Sequence, residues 1–283
     1  MPGKVTFQGN ALTLVGRVLK VGGTAPDFKV ASPDLSPITL SDFRGKVKVI
    51  TSFPSLDTPV CDLQVKEFNK QASGLPGEAV IIGISMDLPF AQKRFCEVFD
   101  IKNVRLASDY QASSFGINYG LLIKELKLLA RSVLIIDKAD TLRYVQLVPE
   151  ITKPPDYKDA LNNLSEVLND PEHKAGESLP LKCKPCEGGG SALPKDKIEK
   201  LLAQHRGWEL AEDRKLVKEF KFKDFIEAKY FLDLVAVIAE EQGHHPTITV
   251  IYNKVRITLT THAAGGLTEN DFIMSRIIDE LGF

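Results

Sequence analysis

The chain has 283 residues, 43% hydrophobic and 26% charged, with a formal net charge of −1; this is a globular composition, long enough for two ordinary domains and too neutral for a phosphate-tracking surface. No apolar run approaches the roughly 18 residues of a membrane span, and the opening M-P-G-K-V-T-F-Q-G-N lacks the basic-then-apolar pattern of a secretory leader. A soluble, cytoplasmic protein is expected, with four cysteines suited to redox or metal chemistry rather than to a structural disulfide framework.

In chain order, residues 5–7 and 12–15 flank Gln8-Gly9-Asn10 and read as a hairpin. The runs 47–53 (V-K-V-I-T-S-F) and 79–85 (A-V-I-I-G-I-S) are short and β-branched, as strands buried in a sheet are. Between them, 61–72 spaces Leu63, Val65 and Phe68 among charges and reads as a helix. A second helix is predicted over 89–99, with Pro89 in its first turn. A strand pair at 132–137 and 142–148 and a helix at 157–168 complete an expected α/β layer. Residues 169–190 then carry three prolines and four glycines without a sustained period, the chemistry of a linker. Beyond it come a helix at 195–204, strands around 208–211 and 215–222, and a long helix at 225–242. Strands at 247–252 and 255–260 follow, then a last helix from Thr268, with Asp271 placed three residues on as in a capping box. Strand pairs interleaved with helices predict a smaller α+β domain, an antiparallel sheet with helices on one face. The expected organisation is a first domain over 1–168, a linker over 169–190 and a second domain over 191–283.

Residues 53–62, F-P-S-L-D-T-P-V-C-D, set a thiol after an apolar strand and at the start of a predicted helix. Unpaired amides at a helix N-terminus favour an anion, and so the thiolate of Cys61. Thr58 can bring a hydroxyl beside that sulfur, while Pro54 and Pro59 fix and shield the turn. A fixed cation is missing from this local picture. The pattern P-x-x-x-T-x-x-C, here Pro54, Thr58 and Cys61, resembles the peroxiredoxin signature. V-T-F-Q-G-N, K-R-F-C, A-R-S-V-L-I-I-D and L-V-P-E-I-T resemble the thiol peroxidase subgroup, the atypical two-cysteine type, over residues 3–168. The resemblance implies a thioredoxin-like fold, Cys96 as a second redox cysteine on the next helix, and Arg131 as the cation. It implies a cycle as well: peroxide held near Thr58, Arg131 and Pro54, a Cys61 sulfenic acid, a Cys61–Cys96 disulfide, and reset by a dithiol such as thioredoxin.

Three of the five histidines, His244, His245 and His262, come late in the chain. If the strands at 247–252 and 255–260 form a hairpin, H-H-P and T-T-H lie at the same end. The three imidazoles are then expected to converge with Asp271, a set suited to moving protons near neutral pH. Zinc is the rival reading. Against it, adjacent residues of extended chain point to opposite faces, and no H-x-H or H-E-x-x-H occurs. E-x-x-x-H-H-P at 240–246, Y-N-K-V, T-L-T-T-H and A-G-G-L-T-E-N-D resemble the pterin-4a-carbinolamine dehydratases over about residues 180–283. That resemblance implies dehydration of 4a-hydroxytetrahydrobiopterin to quinonoid dihydropterin with no metal and no cofactor. His244, His245 and His262 would share the acid and base tasks and Asp271 would orient an imidazole. Pro246, Thr260, Thr261 and Ala263 would line the pterin. Homo-oligomerisation is implied too.

Cys183-Lys-Pro-Cys186 is a C-x-x-C inside the linker, with no second C-x-x-C to complete a zinc ribbon. Two readings stay open: an internal reductant of the Cys61–Cys96 disulfide, or a segment that resembles the usual opening of bacterial dehydratases. For the whole chain a bifunctional enzyme is expected, acting on peroxides and a pterin, with no nucleic-acid or membrane partner. A competing reading makes the second domain a dimerisation or docking module, and a third makes the first domain a peroxide sensor.

Overall fold

In the computed structural model, which describes residues 4–72, 77–169, 182–184 and 191–282, the chain divides into two units, Met1–Ser178 with Gly282–Phe283, and Leu179–Leu281. The first opens on a hairpin of β1 (Lys4–Phe7) and β2 (Asn10–Arg17). Its turn residues Gln8 and Gly9 both have positive φ, the backbone that a two-residue hairpin loop requires. Next come β3 (Lys29–Ala31), β4 (Pro37–Thr39), β5 (Val47–Ser52), α1 (Pro59–Ala72), β6 (Ala79–Ser85) and α2 (Pro89–Phe99). They are followed by β7 (Val104–Ser108), α3 (Ser114–Asn118), β8 (Leu122–Ile123), β9 (Ser132–Ile136), β10 (Leu142–Leu147) and α4 (Tyr157–Asn169).

Seven strands form one mixed sheet in the order β10-β9-β5-β6-β7-β3-β4. The β5–β6 and β6–β7 pairs are parallel; β9 joins β5 antiparallel and β3 joins β7 antiparallel. Alternate residues of the central strands feed two cores. Val49, Ile81 and Val133 pack with Val65 and Phe68 of α1, Phe95 of α2 and Leu164 of α4. Ile50, Ile82 and Leu134 pack with Leu14, Phe28 and Phe115. A sheet covered on both faces reads as near-continuous apolar strands, which is why β5 and β6 stood out in the sequence. By contrast β3, β4, β7, β8 and α3 were not anticipated. They are only two to five residues long, too short to carry a period of their own, and pairing with neighbours defines them.

In the second unit α5 (Lys195–Leu202), β11 (Glu209–Ala211), β12 (Lys215–Lys221) and α6 (Phe225–Gln242) lead to β13 (Thr247–Ile251), β14 (Lys254–Leu259) and α7 (Glu269–Asp279). The strands form an antiparallel sheet in the order β11-β12-β14-β13. Val255, Ile257 and Leu259 are buried while Arg256 between them is exposed, so one face carries the core. Phe231 of α6 meets that face, 4.7 Å from Phe220 and 4.9 Å from Phe222 between ring centroids. No helix among the described residues is long and apolar enough to cross a membrane.

Candidate active sites

In the first unit β5 ends at Ser52, and the chain turns through buried Phe53 and Pro54. Asp87, just past β6, holds that turn: its carboxylate accepts from the Ser55 hydroxyl at 2.7 Å and the Leu56 amide at 2.8 Å. Helix α1 starts at Pro59, so Cys61 is its third residue rather than its first. Proline is the reason, since its fixed φ and missing N–H suit a first helical position. The Cys61 side chain is 0% exposed. Two donors reach its sulfur: the Thr58 hydroxyl at 2.8 Å and Arg131 Nη2 at 3.2 Å.

Arg131, directly before β9, is 1% exposed. Its Nε and Nη2 donate to the Ile151 carbonyl at 3.0 and 2.9 Å, and its Nη1 donates to Gln64 Oε1. Those oxygens are neutral, and the buried guanidinium has no carboxylate partner among the described residues; the Cys61 sulfur is the third group it donates to. Gln64, one helical turn after Cys61, donates in turn to Thr51 Oγ1. Sequence reading missed Gln64; its place on the Cys61 face of α1, three residues on, was the available signal. The Ile151 carbonyl had no sequence signal. It is held by the N-terminal hairpin, because the Ile151 amide donates to the Thr6 carbonyl at 2.9 Å and Glu150 accepts from Thr6 Oγ1 at 2.8 Å and the Gly9 amide at 3.0 Å. Hydrogen bonds from Thr152, then Gly9, hold the Glu150 carboxyl down at about 2.

Cys96 lies on α2, half-buried in the same apolar cluster as Cys61, and both are free thiols. Burial first, and then the neighbouring Glu97 charge, push the Cys96 thiol up. Burial likewise raises the Tyr157 phenol, opposed by the nearby Arg131 charge. Tyr157 was not anticipated as a neighbour of this site.

In the second unit the histidines differ in burial. His244 is 5% exposed and its Nε2 lies 2.8 Å from Oδ1 of Asp271, which is 0% exposed. The other carboxylate oxygen accepts from the Thr261 hydroxyl at 2.8 Å and the Thr268 amide at 2.7 Å. That last contact belongs to a capping box at the start of α7. His244 is turned inward by Gly243, whose φ of +60° ends α6 in the left-handed region, with the His244 amide returning to the Ala239 carbonyl at 3.2 Å. His245 stays exposed and pairs with Glu240 at 3.1 Å, and His262 is exposed at the head of a short 3-10 turn, His262–Ala264. Each of the first two imidazoles has its own carboxylate partner: the end of α6 buries the His244 ring on Asp271, and the extended segment that follows turns His245 outward to Glu240. Among the described residues no group of three or more His, Cys, Asp or Glu is placed to hold a metal.

Thr260 spends its hydroxyl on the Arg214 carbonyl at 2.9 Å, while Pro246 is half-buried and Ala263 exposed beside His262. A cavity of about 500 Å³ between α5 and α7 is lined by Leu201, His205, Phe272 and Arg276 and by none of the three anticipated histidines. Most of the anticipated linker, Cys186 included, lies outside the described residues. Cys183 is described, and it is buried: its amide donates to Gln242 Oε1 at 2.9 Å and its sulfur lies 3.7 Å from the Asn270 carbonyl. The picture of Cys183 in a free linker is thereby corrected, because the Gln242 side chain at the end of α6 takes its amide and the Asn270 side chain of α7 bonds the Lys184 backbone beside it.

Comparison with known proteins gives two family matches, a redoxin model over residues 20–161 and a pterin 4 alpha carbinolamine dehydratase model over residues 191–281. The thiol peroxidase of Halalkalibacterium halodurans is 48% identical over 164 residues, covering 58% of this chain and 98% of that protein. The thiol peroxidase of Aquifex aeolicus is 48% identical over 167 residues, with the same two coverages, 58% and 98%. Among solved structures, a peroxiredoxin-like protein from Aquifex aeolicus is 46% identical, covers 58% of this chain and 96% of its own, and superposes with a TM-score of 0.55. A transcriptional coactivator/pterin dehydratase from Brucella melitensis is 36% identical over 31% of this chain and 96% of its own, with a TM-score of 0.31.

Proposed function

This chain belongs to the redoxin family and carries a pterin 4 alpha carbinolamine dehydratase domain at its C-terminal end, and we propose that it joins two activities, thiol-dependent reduction of peroxides and dehydration of a 4a-hydroxypterin. Neither uses a prosthetic cofactor. The observation that carries the first is the buried Arg131 guanidinium, which has Cys61 Sγ at 3.2 Å and no carboxylate partner among the described residues. In this reading the Cys61 thiolate attacks the terminal oxygen of hydrogen peroxide or an organic hydroperoxide. The O–O bond breaks, the departing oxygen takes a proton and leaves as water or an alcohol, and the sulfur becomes a sulfenic acid. Thr58 and Arg131 hold the two oxygens as charge moves between them. Cys96 then loses its proton and attacks the sulfenic sulfur; water leaves and a Cys61–Cys96 disulfide forms. A dithiol reductant, thioredoxin in our reading, returns two electrons and two protons by exchange. Since Cys61 is in the first turn of α1 and Cys96 is on α2, we expect local unwinding before the sulfurs meet.

For the second activity the supporting observation is the buried His244–Asp271 pair. Asp271 fixes Nε2, which leaves Nδ1 of His244 to move a proton, in the manner of an imidazole oriented by a carboxylate. The C4a–O bond of the substrate breaks as the hydroxyl takes a proton and leaves as water, and a ring nitrogen gives up its proton. We assign these two transfers to His244 with His245 and His262, and the lining to Pro246, Thr260, Thr261 and Ala263. We take residues 169–190 as the join between the two functions, and a cytoplasmic setting as the one that supplies a reducing dithiol.

One observation favours association as well: Phe225 and Ile226 at the start of α6 and Ile251 and Tyr252 at the end of β13 are all exposed by half or more. We expect a homo-oligomer by light scattering. The test of the main reading is disulfide mapping by mass spectrometry after one equivalent of peroxide, together with a dehydration assay on the same preparation. A Cys61–Cys96 bridge and 4a-hydroxypterin turnover that disappears in His244→Ala are expected. A bridge elsewhere overturns the first half, and an inactive wild type makes the second domain a binding module.

A further inference from the structure

The C-x-x-C segment enters neither cycle, yet its first half is built into the second unit. Residues 182–184 lie as a short strap. The Cys183 amide donates to Gln242 Oε1 at 2.9 Å, the Lys184 amide donates to Asn270 Oδ1 at 2.9 Å, and Asn270 Nδ2 donates back to the Lys184 carbonyl at 2.8 Å. The Asn270 carboxamide thus pairs with one residue as acceptor and donor at once, as a neighbouring strand does. Cys183 and Asn270 are each only 7% exposed. The strap's two anchors are also the residues flanking the histidine–aspartate pair. Gln242 is the last residue of α6, two before His244, and Asn270 immediately precedes Asp271.

Resting on the dehydratase reading above, we propose that the 182–184 strap positions the His244–Asp271 pair, with Gln242 and Asn270 as positioning residues acting through its backbone. The physical need is local. Gly243 stands between Gln242 and His244 at a φ of +60° with nothing within 4 Å of where a Cβ would be, a joint with little steric restraint of its own. The His244 amide bond to Ala239 and the α7 capping box hold each backbone on its own element; the strap ties the chain before that joint to the start of α7, and so adds a link between the two elements beside the 2.8 Å contact of His244 with Asp271. A misplacement of about 1 Å can cost about a hundredfold in rate, so a device that holds this distance bears on turnover rather than on substrate affinity.

The test uses full-length Gln242→Ala and Asn270→Ala with three readouts: iodoacetamide labelling of Cys183 mapped by mass spectrometry, the ¹⁵N shifts of the His244 imidazole, and dehydratase kcat and KM. Peroxidase activity on the same samples reports an intact first unit. Both variants are expected to expose Cys183 to labelling, to move the His244 resonances, and to lower kcat about tenfold with KM held within about twofold. Cys183 labelled in both variants with His244 shifts and kcat unchanged overturns the proposal. So does labelling no faster than wild type, or a loss of kcat confined to Asn270→Ala. If the wild type does not turn over a 4a-hydroxypterin, the functional reading fails by itself, while the His244 shifts still decide whether the strap positions the pair.

Discussion

The Thr58 hydroxyl has one hydrogen and two acceptors, the Ser55 carbonyl at 3.1 Å and Cys61 Sγ at 2.8 Å, so the sulfur depends on Arg131 for its second donor. Gln64 sets where that guanidinium sits. Gln64→Ala is expected to lower peroxidase kcat/KM about tenfold or more while circular dichroism stays unchanged, as steady-state assays would check. Cys96, pushed up by burial and Glu97, stays a thiol at neutral pH. The step that closes the disulfide is therefore expected to accelerate steadily as pH rises toward the range where Cys96 ionises, and quenched-flow mass spectrometry from about pH 6 up to 9, the ordinary thiol value that Cys96 exceeds, would follow it. Glu150 gives a signed prediction. Its folded value is about 2, below the ordinary 4.5, so its stabilisation is present above the unfolded value and is lost as pH falls toward about 2. The stability gap between wild type and Glu150→Gln is expected to be widest above pH 4.5 and to close toward pH 2 in acid-unfolding curves.

At the scale of elements, long periodic helices and buried β-branched strands were legible. The predicted helices at 89–99 and 225–242 coincide with α2 and α6, and the strand at 79–85 with β6. Pro89 at the first turn and Asp224 capping the Glu227 amide at 2.9 Å mark those helix starts locally. Short elements were not legible. β7 has Arg105 exposed as the second of its five residues, and it becomes a strand because its backbone pairs with β6 and β3. The second unit leans on one aromatic cluster. Phe231→Ala is expected to cost that unit about 3–5 kcal/mol, read as a fall in the midpoint of its denaturant unfolding with the peroxidase midpoint unmoved.

For the molecule as a whole, the two sites share no residue, so their losses should be independent. Cys61→Ser is expected to abolish peroxide reduction and spare pterin dehydration, His244→Ala to do the reverse, and the double variant to show both losses without further coupling; parallel assays on one preparation check this. The sequence by itself determined the two-family composition, the cysteine and histidine motifs, and the helices and strands with a long enough pattern, because propensity, capping and turn chemistry act over a few residues. Only the tertiary structure decided that Arg131 donates at once to Cys61 and to Gln64, 70 and 67 residues before it, that one histidine of three is buried on Asp271, and that Cys183 is docked rather than free. Those facts follow from strand order and from where buried polar groups find partners, and no local pattern encodes either.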